Sequence, residues 1–456
     1  LAPFHTAPLL RPTSTVSLGP DLRHRNTLSP LGVRGVSPSS SRPASYVENL
    51  NNVPYHEQVA PGAGQHNAIL QHAVGNAASL LDTKKTLEMY RANVKKTTNI
   101  AVQYEFAIYM VNTARETPPE DDAEAATLIA EAKQILTRLA DRAYPFAQYY
   151  LADGYFTGFF GKAQQHDYDK AFPLFVAASK HGHAEAGYRA ALCYEFGWGT
   201  AIAYPKAVQF YRHAASKNHP GAATRLALAC LRGHMGLTPP DKFYREGVKW
   251  LKRANESADT QYNAAPYELA LLHLHGFGPD IFRDEPYAAQ LLARSAALGH
   301  GSAALLLGRA YEQGLYDLPP DPALSVHFYS AAAARGLPDA MMALCAWYMV
   351  GAPPVFDKDE TEAYARALEA AHTGFPKAEY AVAYFTEMGI GCCRDPLEAN
   401  DWYVRAAGHG NEMAAQRLDL IRNTGSSGAD VQASGGGSIR GDRDAGTGRK
   451  KLWGIF

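Results

Sequence analysis

Two histidine pairs, one cysteine pair and three glycine pairs are the groupings in this sequence whose residue types and spacing could do chemistry. His181-x-His183 and His273-x-His275 each offer two imidazoles to a metal ion. Zinc needs three or four ligands, however, and no His-Glu-x2-His or Cys-x2-Cys run accompanies either pair. Cys392 and Cys393 are adjacent, a poor bite for a tetrahedral ion. Gly276-Phe-Gly278 and Gly389-Ile-Gly391 invite comparison with a phosphate-cradling loop, but each follows a helical pattern rather than a strand and lacks a following Lys-Ser/Thr. Gly197-Trp-Gly199 is of the same kind. No nucleophile, base and orienting group assemble from spacing, so the sequence assigns no catalytic residue, no metal ligand and no cofactor, and the chain is expected not to be an enzyme.

The elements that carry these residues explain them better. The pattern Ala-x3-Leu-x3-Tyr-x2-Gly recurs with its first slot at Ala147, Ala186, Ala222, Ala265, Ala303, Ala340, Ala378 and Ala414, at spacings of 39, 36, 43, 38, 37, 38 and 36 residues. The slot one residue past the leucine is always small: Ala152, Ala191, Ala227, Ala270, Gly308, Cys345 and Ala383. The last slot is glycine throughout, at Gly158, Gly197, Gly233, Gly276, Gly314, Gly351 and Gly389. Steps of four and eight place the Ala, Leu and Tyr slots on one helix face. Small residues there admit a second helix, and the glycine supplies a left-handed stop. That second helix is plain in Ala399-x2-Trp402-Tyr403-x2-Ala406-Ala407 and in Phe328-Tyr329-x2-Ala332-Ala333. A hairpin of this size cannot bury its apolar face alone, so the hairpins stack. The prediction is an all-α fold, a right-handed α-solenoid of stacked antiparallel helix hairpins. His273 falls in the tyrosine slot, and Cys230 and Cys345 fall in core slots, so all three read as packing residues; His181 and His183 flank a repeat junction and read as loop residues.

Composition sets the surroundings. With 44 Lys+Arg against 45 Asp+Glu, the net charge of −1 removes the electrostatic case for nucleic acid as a partner. No run of 18 apolar residues is present, so no transmembrane segment is expected. Five cysteines, mostly isolated, suit a reducing compartment, and a cytoplasmic location follows. Residues 1–50 are rich in Pro, Ser and Arg and read as a disordered tail. Residues 51–143 read as a helical lead-in with a degenerate first repeat, having helices near Leu80 to Asn93 and over Ile100 to Arg115. Residues 144–422 form the array, about seven full repeats plus a cap, and 423–456 a Gly/Ser-rich linker. The linker ends in a basic-aromatic tail, Arg449, Lys450, Lys451, Leu452, Trp453, Gly454, Ile455 and Phe456, suited to peripheral contact with an anionic membrane or a partner groove. A prenylation box would need Cys where Trp453 stands. Leu1 rather than Met opens the chain, so the sequence leaves open what precedes it.

The repeat resembles the Sel-one-like repeat, a relative of the tetratricopeptide repeat, over about Tyr144 to Arg422. Ahead of it, Tyr90-Arg-Ala-Asn-Val-Lys-Lys-Thr97 and Gln103-Tyr-Glu-Phe-Ala107, with Val53-Pro54-Tyr55-His56, look like the lead-in of fungal chitin synthase regulatory proteins. The resemblance implies a non-catalytic scaffold that binds chitin synthase, or the machinery recruiting it, at the cell periphery or septum. A second implied reading is an adaptor in cell-wall signalling through protein kinase C or in endoplasmic-reticulum quality control. By analogy with the related repeat, the partner groove is lined at slots +2, +6 and +9 from the first alanine: Tyr149, Phe156, Tyr188, Glu195, Arg309, Glu312, Tyr380, Tyr384 and Glu387. Aromatic residues among charges suit peptide capture.

Overall fold

Apolar residues at helical spacing, helix-starting Asp-Pro and His-x-x-Ala runs, and glycine at each stop leave little choice of secondary structure. The computed structural model describes residues 50, 55–58, 83–94, 96–116, 122–161, 165–238, 240–278 and 280–427. The expectations for residues 1–49 and for the linker and tail from 428 to 456 lie outside these residues, whereas 423–427, expected as the start of the linker, continue the last helix.

A one-turn helix α1 (Tyr55–Gln58) comes first, then α2 (Thr83–Val94), α3 (Ile100–Glu116) and α4 (Asp122–Asp141). The helix expected near Leu80 is α2, and that expected from Ile100 is α3. The hairpins follow: α5 (Pro145–Phe156) with α6 (Tyr168–Lys180), α7 (Ala184–Phe196) with α8 (Tyr204–Ser216), α9 (Pro220–Arg232) with α10 (Pro240–Ser257), and α11 (Ala264–His275) with α12 (Glu285–Ala297). Then come α13 (Gly301–Gln313) with α14 (Pro322–Ala333), α15 (Pro338–Val350) with α16 (Glu360–Ala371), α17 (Pro376–Met388) with α18 (Pro396–Gly408), and a last helix α19 (Glu412–Ser427). From α3 to α19 each helix packs on the ones before and after it in the chain, which is a solenoid. Among the described residues the only β pairing is two isolated bridges within loops, Phe277 to Ile281 and Ala352 to Phe356.

The helix starts follow two rules. Second helices begin at Asp167, Asp284, Asp321, Asp359 and Asp395, whose carboxylates accept backbone N–H groups of the first turn. Three first helices begin instead at His183, His219 and His300, whose Nδ1 accepts the N–H of the slot alanine. Those alanines, from Ala147 to Ala414, are all fully buried, as are the second-helix rings of Tyr211, Tyr329 and Tyr403. Cys230 and Cys345 lie in separate buried clusters along the stack, both free.

The glycine stops divide. Gly197, Gly233, Gly314 and Gly389 are left-handed caps, as expected. Gly276 and Gly351 have positive φ with extended ψ, and Gly158 follows a helix that Thr157 closes, so a left-handed cap does not describe these three. Those repeats take longer or differently routed loops. The second glycine of the Gly-x-Gly pairs serves the stack rather than a phosphate: a Cβ on Gly391, at φ +67°, would stand 2.0 Å from the backbone oxygen of Glu360 at the start of α16. Gly391→Ala is expected to lower stability by about 3 kcal/mol, from backbone strain and clash together, seen as a lower urea midpoint at unchanged slope.

Candidate protein-binding groove

First-helix side chains off the packing face divide into three environments. Tyr149 retains only 4% of its exposure, stacked on His183 at 4.4 Å, so it is a core residue rather than a groove-lining one. Phe156 lies half-buried with its ring edge-on to Trp198 at 5.3 Å, and Tyr188 stacks on His219 at 4.8 Å. Tyr380 packs 5.7 Å from Tyr403, and Tyr384 lies beside Phe385; both keep partly exposed faces. Arg309 is exposed.

The three glutamates occupy one recurring position. Tyr211 donates to Glu195 at 2.5 Å, Tyr329 to Glu312 at 2.6 Å and Tyr403 to Glu387 at 2.7 Å. Burial, reinforced by donation to the carboxylate, raises all three phenol pKa values far above the usual range, so they remain donors. Arg225 of the next repeat grips Glu195 with two nitrogens at 2.8 and 2.9 Å, and Arg417 grips Glu387 in the same way. Such two-pronged pairs fix the carboxylate's orientation. For Glu387, burial opposes ionisation, but the hydrogen bonds from Arg417 and Tyr403 outweigh it and lower its pKa.

A buried polar centre lies where α1 crosses the starts of α7 and α9. Gln58 accepts from Ala184 N at 2.7 Å through its side chain, and its backbone oxygen accepts from His183 Nε2 at 3.0 Å. The Tyr55 ring rests 4.9 Å from His219. Since Nδ1 of each histidine accepts a backbone N–H, Nε2 is the protonated atom. His219 Nε2 thus donates to Glu185 at 2.6 Å, and the same carboxylate takes Arg189 Nε at 2.8 Å and the Tyr262 hydroxyl at 3.0 Å. Burial resists ionisation of Glu185, but its hydrogen bonds from His219 and Arg189 prevail and hold its pKa at about 2. Burial lowers that of His183 to about 4. The sequence reading of His183 as a loop residue is thereby corrected: it is a fully buried helix cap. The signal was there, since aligning the slot three residues before each alanine shows His183, His219 and His300.

Of the remaining candidates for chemistry, His273 and Cys230 resolve as packing, whereas His275 and Cys393 are exposed. His273 caps no helix; its Nδ1 contacts the Phe282 backbone oxygen at 3.1 Å and its ring meets Tyr287 edge-on. Among the described residues no three His, Cys, Asp or Glu side chains gather as a metal site would require. Burial pushes the Cys193 thiol up to about 12 and Cys230 to about 11, which removes thiolate character at neutral pH.

Between α13, α15 and the start of α17 lies a cavity of about 490 Å³ whose walls include Arg309, Glu312, Tyr329, Met342, Trp347 and Phe375. Two of the sequence-derived candidates, Arg309 and Glu312, meet there; the others lie elsewhere along the stack.

Seven segments match the Sel1 repeat family: residues 145–183, 184–219, 220–259, 263–300, 301–337, 338–365 and 376–411. The chain is 42% identical over 368 residues to the Chitin synthase regulator SKT5 of Saccharomyces cerevisiae, covering 77% of this chain and 52% of that protein. It is 43% identical over 356 residues to the Chitin synthase regulator SKT5 of Malassezia restricta, covering 76% and 24%. The chain thus spans about half, or less, of the length of these relatives. Among solved structures, a protective antigen of uropathogenic Escherichia coli displaying an SLR fold superposes with a TM-score of 0.56 at 22% identity, over 74% of this chain and 67% of that one. That likeness concerns the fold alone. Among the described residues no helix is long and apolar enough to cross a membrane.

Proposed function

Because this chain belongs to the Sel1 repeat family, we propose that it is a non-catalytic scaffold that binds and activates a chitin synthase, or the machinery recruiting one, in fungal cell-wall and septum synthesis. The observation that carries this reading is the extent of the match to proteins named chitin synthase regulators, at 42% identity over 77% of the chain. The geometry supports it. The first helices present half-buried aromatics beside ordered carboxylates, a surface suited to anchoring a polypeptide. The chain's own α1, held across α7 and α9, occupies the stack as a short peptide would. A location at the cell periphery belongs to the same proposal, with Arg449 to Phe456 as the segment assigned to membrane or partner contact.

Purified chain added to membranes carrying a chitin synthase is expected to bind them and raise chitin formation. Tyr380→Ala with Tyr384→Ala is expected to weaken that binding about tenfold or more, with helicity and melting unchanged. Capture of kinase or ubiquitin-ligase components without any chitin synthase would move the reading to the signalling or quality-control adaptor. A matching loss of melting temperature in the double variant would place both tyrosines in the core.

A further inference from the structure

The recurring Glu–Tyr–Arg arrangement is complete in two repeats and broken in one. Glu195, Glu312 and Glu387 each stand nine residues after a buried slot alanine, and each takes a tyrosine hydroxyl from the following helix. Three residues after the next slot alanine stand Arg225 and Arg417, which close the first and third. The corresponding residue for Glu312 is Ala343. Where the guanidinium would lie, the structure has the 490 Å³ cavity, with Ala343 and Glu312 both in its wall. Among the described residues the Glu312 carboxylate accepts from Tyr329, whose hydroxyl also meets Arg309 of the same helix as Glu312, and no ion pair to Glu312 from the following hairpin forms there.

We propose that this cavity receives an arginine side chain from a partner polypeptide. The incoming guanidinium completes the Glu312–Tyr329 pair as Arg225 and Arg417 complete theirs within the chain. A planar fork meets a carboxylate already oriented by a phenol, which lysine's single ammonium cannot match. An apolar residue next to that arginine packs on Met342, Trp347 and Phe375. Arg309 and Lys377 in the cavity wall are balanced by Glu312 and Asp339. Affinity therefore comes from the local fork and from apolar burial, not from a long-range field. The inference rests on the scaffold reading for its biological setting, but its test requires no particular partner.

The test uses the full chain with isotope-labelled methionine methyl groups. Of its eight methionines, Met342 and Met349 line the cavity and report on it by NMR. The probe is the blocked tripeptide acetyl-leucyl-arginyl-leucine amide, with its lysine and citrulline analogues. The arginine peptide is expected to shift both signals saturably, the lysine peptide to bind at least about threefold more weakly, and the uncharged citrulline peptide not to saturate. Ala343→Arg, which rebuilds the internal clamp, is expected to abolish the response while melting is kept or raised; Glu312→Gln is expected to weaken it about tenfold. Equal binding of the citrulline peptide, or an unchanged response in Ala343→Arg, would overturn the proposal. So would silence from all three peptides. None of these results depends on whether a chitin synthase is the partner.

Discussion

Glu185→Ala is expected to lower the stability of the chain by about 3–5 kcal/mol, the cost of breaking a buried charge network by removing one member. The carboxylate is fully buried and serves three donors at once: His219 Nε2, Arg189 Nε and the Tyr262 hydroxyl. Truncation leaves all three beside a small cavity, with His219 fully buried and Arg189 and Tyr262 partly so. The Arg189 charge is the most expensive of these to strand. Because stacked repeats couple mainly to their neighbours, the loss should concentrate in α7 to α11. Urea unfolding gives the total, and hydrogen exchange at the amides of α7 and α9 gives its location. A loss under about 1 kcal/mol, of the size expected for an exposed ion pair, would contradict the burial of this centre.

The second large effect is on pH. His183 sits entirely out of solvent, with its Nδ1 accepting the Ala186 N–H and its Nε2 donating to the Gln58 backbone oxygen. The groups facing it are that oxygen, the Glu185 carboxylate, the His219 ring, and the Tyr149 and Phe146 rings. Burial is the largest influence and lowers the pKa from 6.5 to about 4; Gln58 and Glu185 offset only part of it. Between those two values the unfolded chain binds a proton that the folded chain refuses, so stability falls as pH drops from 6.5 toward 4. The full loss is about 3 kcal/mol, because stability changes by about 1.4 kcal/mol for each step of one in pH across that window. Protonation sets two donors face to face at Nδ1 and Ala186 N, and it breaks the cap. Glu185 acts in the same direction at lower pH: its pKa is lowered from 4.5 to about 2, so its contribution is present above 4.5 and is lost as pH falls toward 2. Denaturant midpoints measured between pH 7 and pH 4 read the first window. His183→Asn, which retains a capping oxygen, is expected to flatten it. A wild-type profile with no slope between pH 6.5 and 4 would refute the assignment.

Much of this fold could be read from residue order. The alanine, leucine and glycine slots repeat because every hairpin meets its neighbour with the same spacing, and a 3.6-residue helix converts that spacing into a face. Even the less regular α3 obeyed the pattern closely enough to be placed. In two of the Gly-x-Gly pairs, suggestive alone, Gly197 and Gly389 are left-handed caps, and Gly391 is required by its close passage against Glu360. The candidate groove was less legible. Periodicity says that a residue lies off the packing face, but not whether a later helix or a distant segment covers it. Tyr149 was thus expected on the surface and is covered by His183.

Local order along the chain was sufficient to specify the helices, four of the glycine caps, the repeat length and the stacking that follows, since each of these depends on residues a few turns apart. The buried Glu185 centre and the open Glu312 cavity depend on contacts across the stack. His183 meets Gln58 from 125 residues away, and Glu312 lacks a partner that its counterparts draw from the following hairpin. Such pairings arise only when the hairpins are superposed in space, because the energies that select them are short-range and no periodic pattern records which distant atom comes within reach.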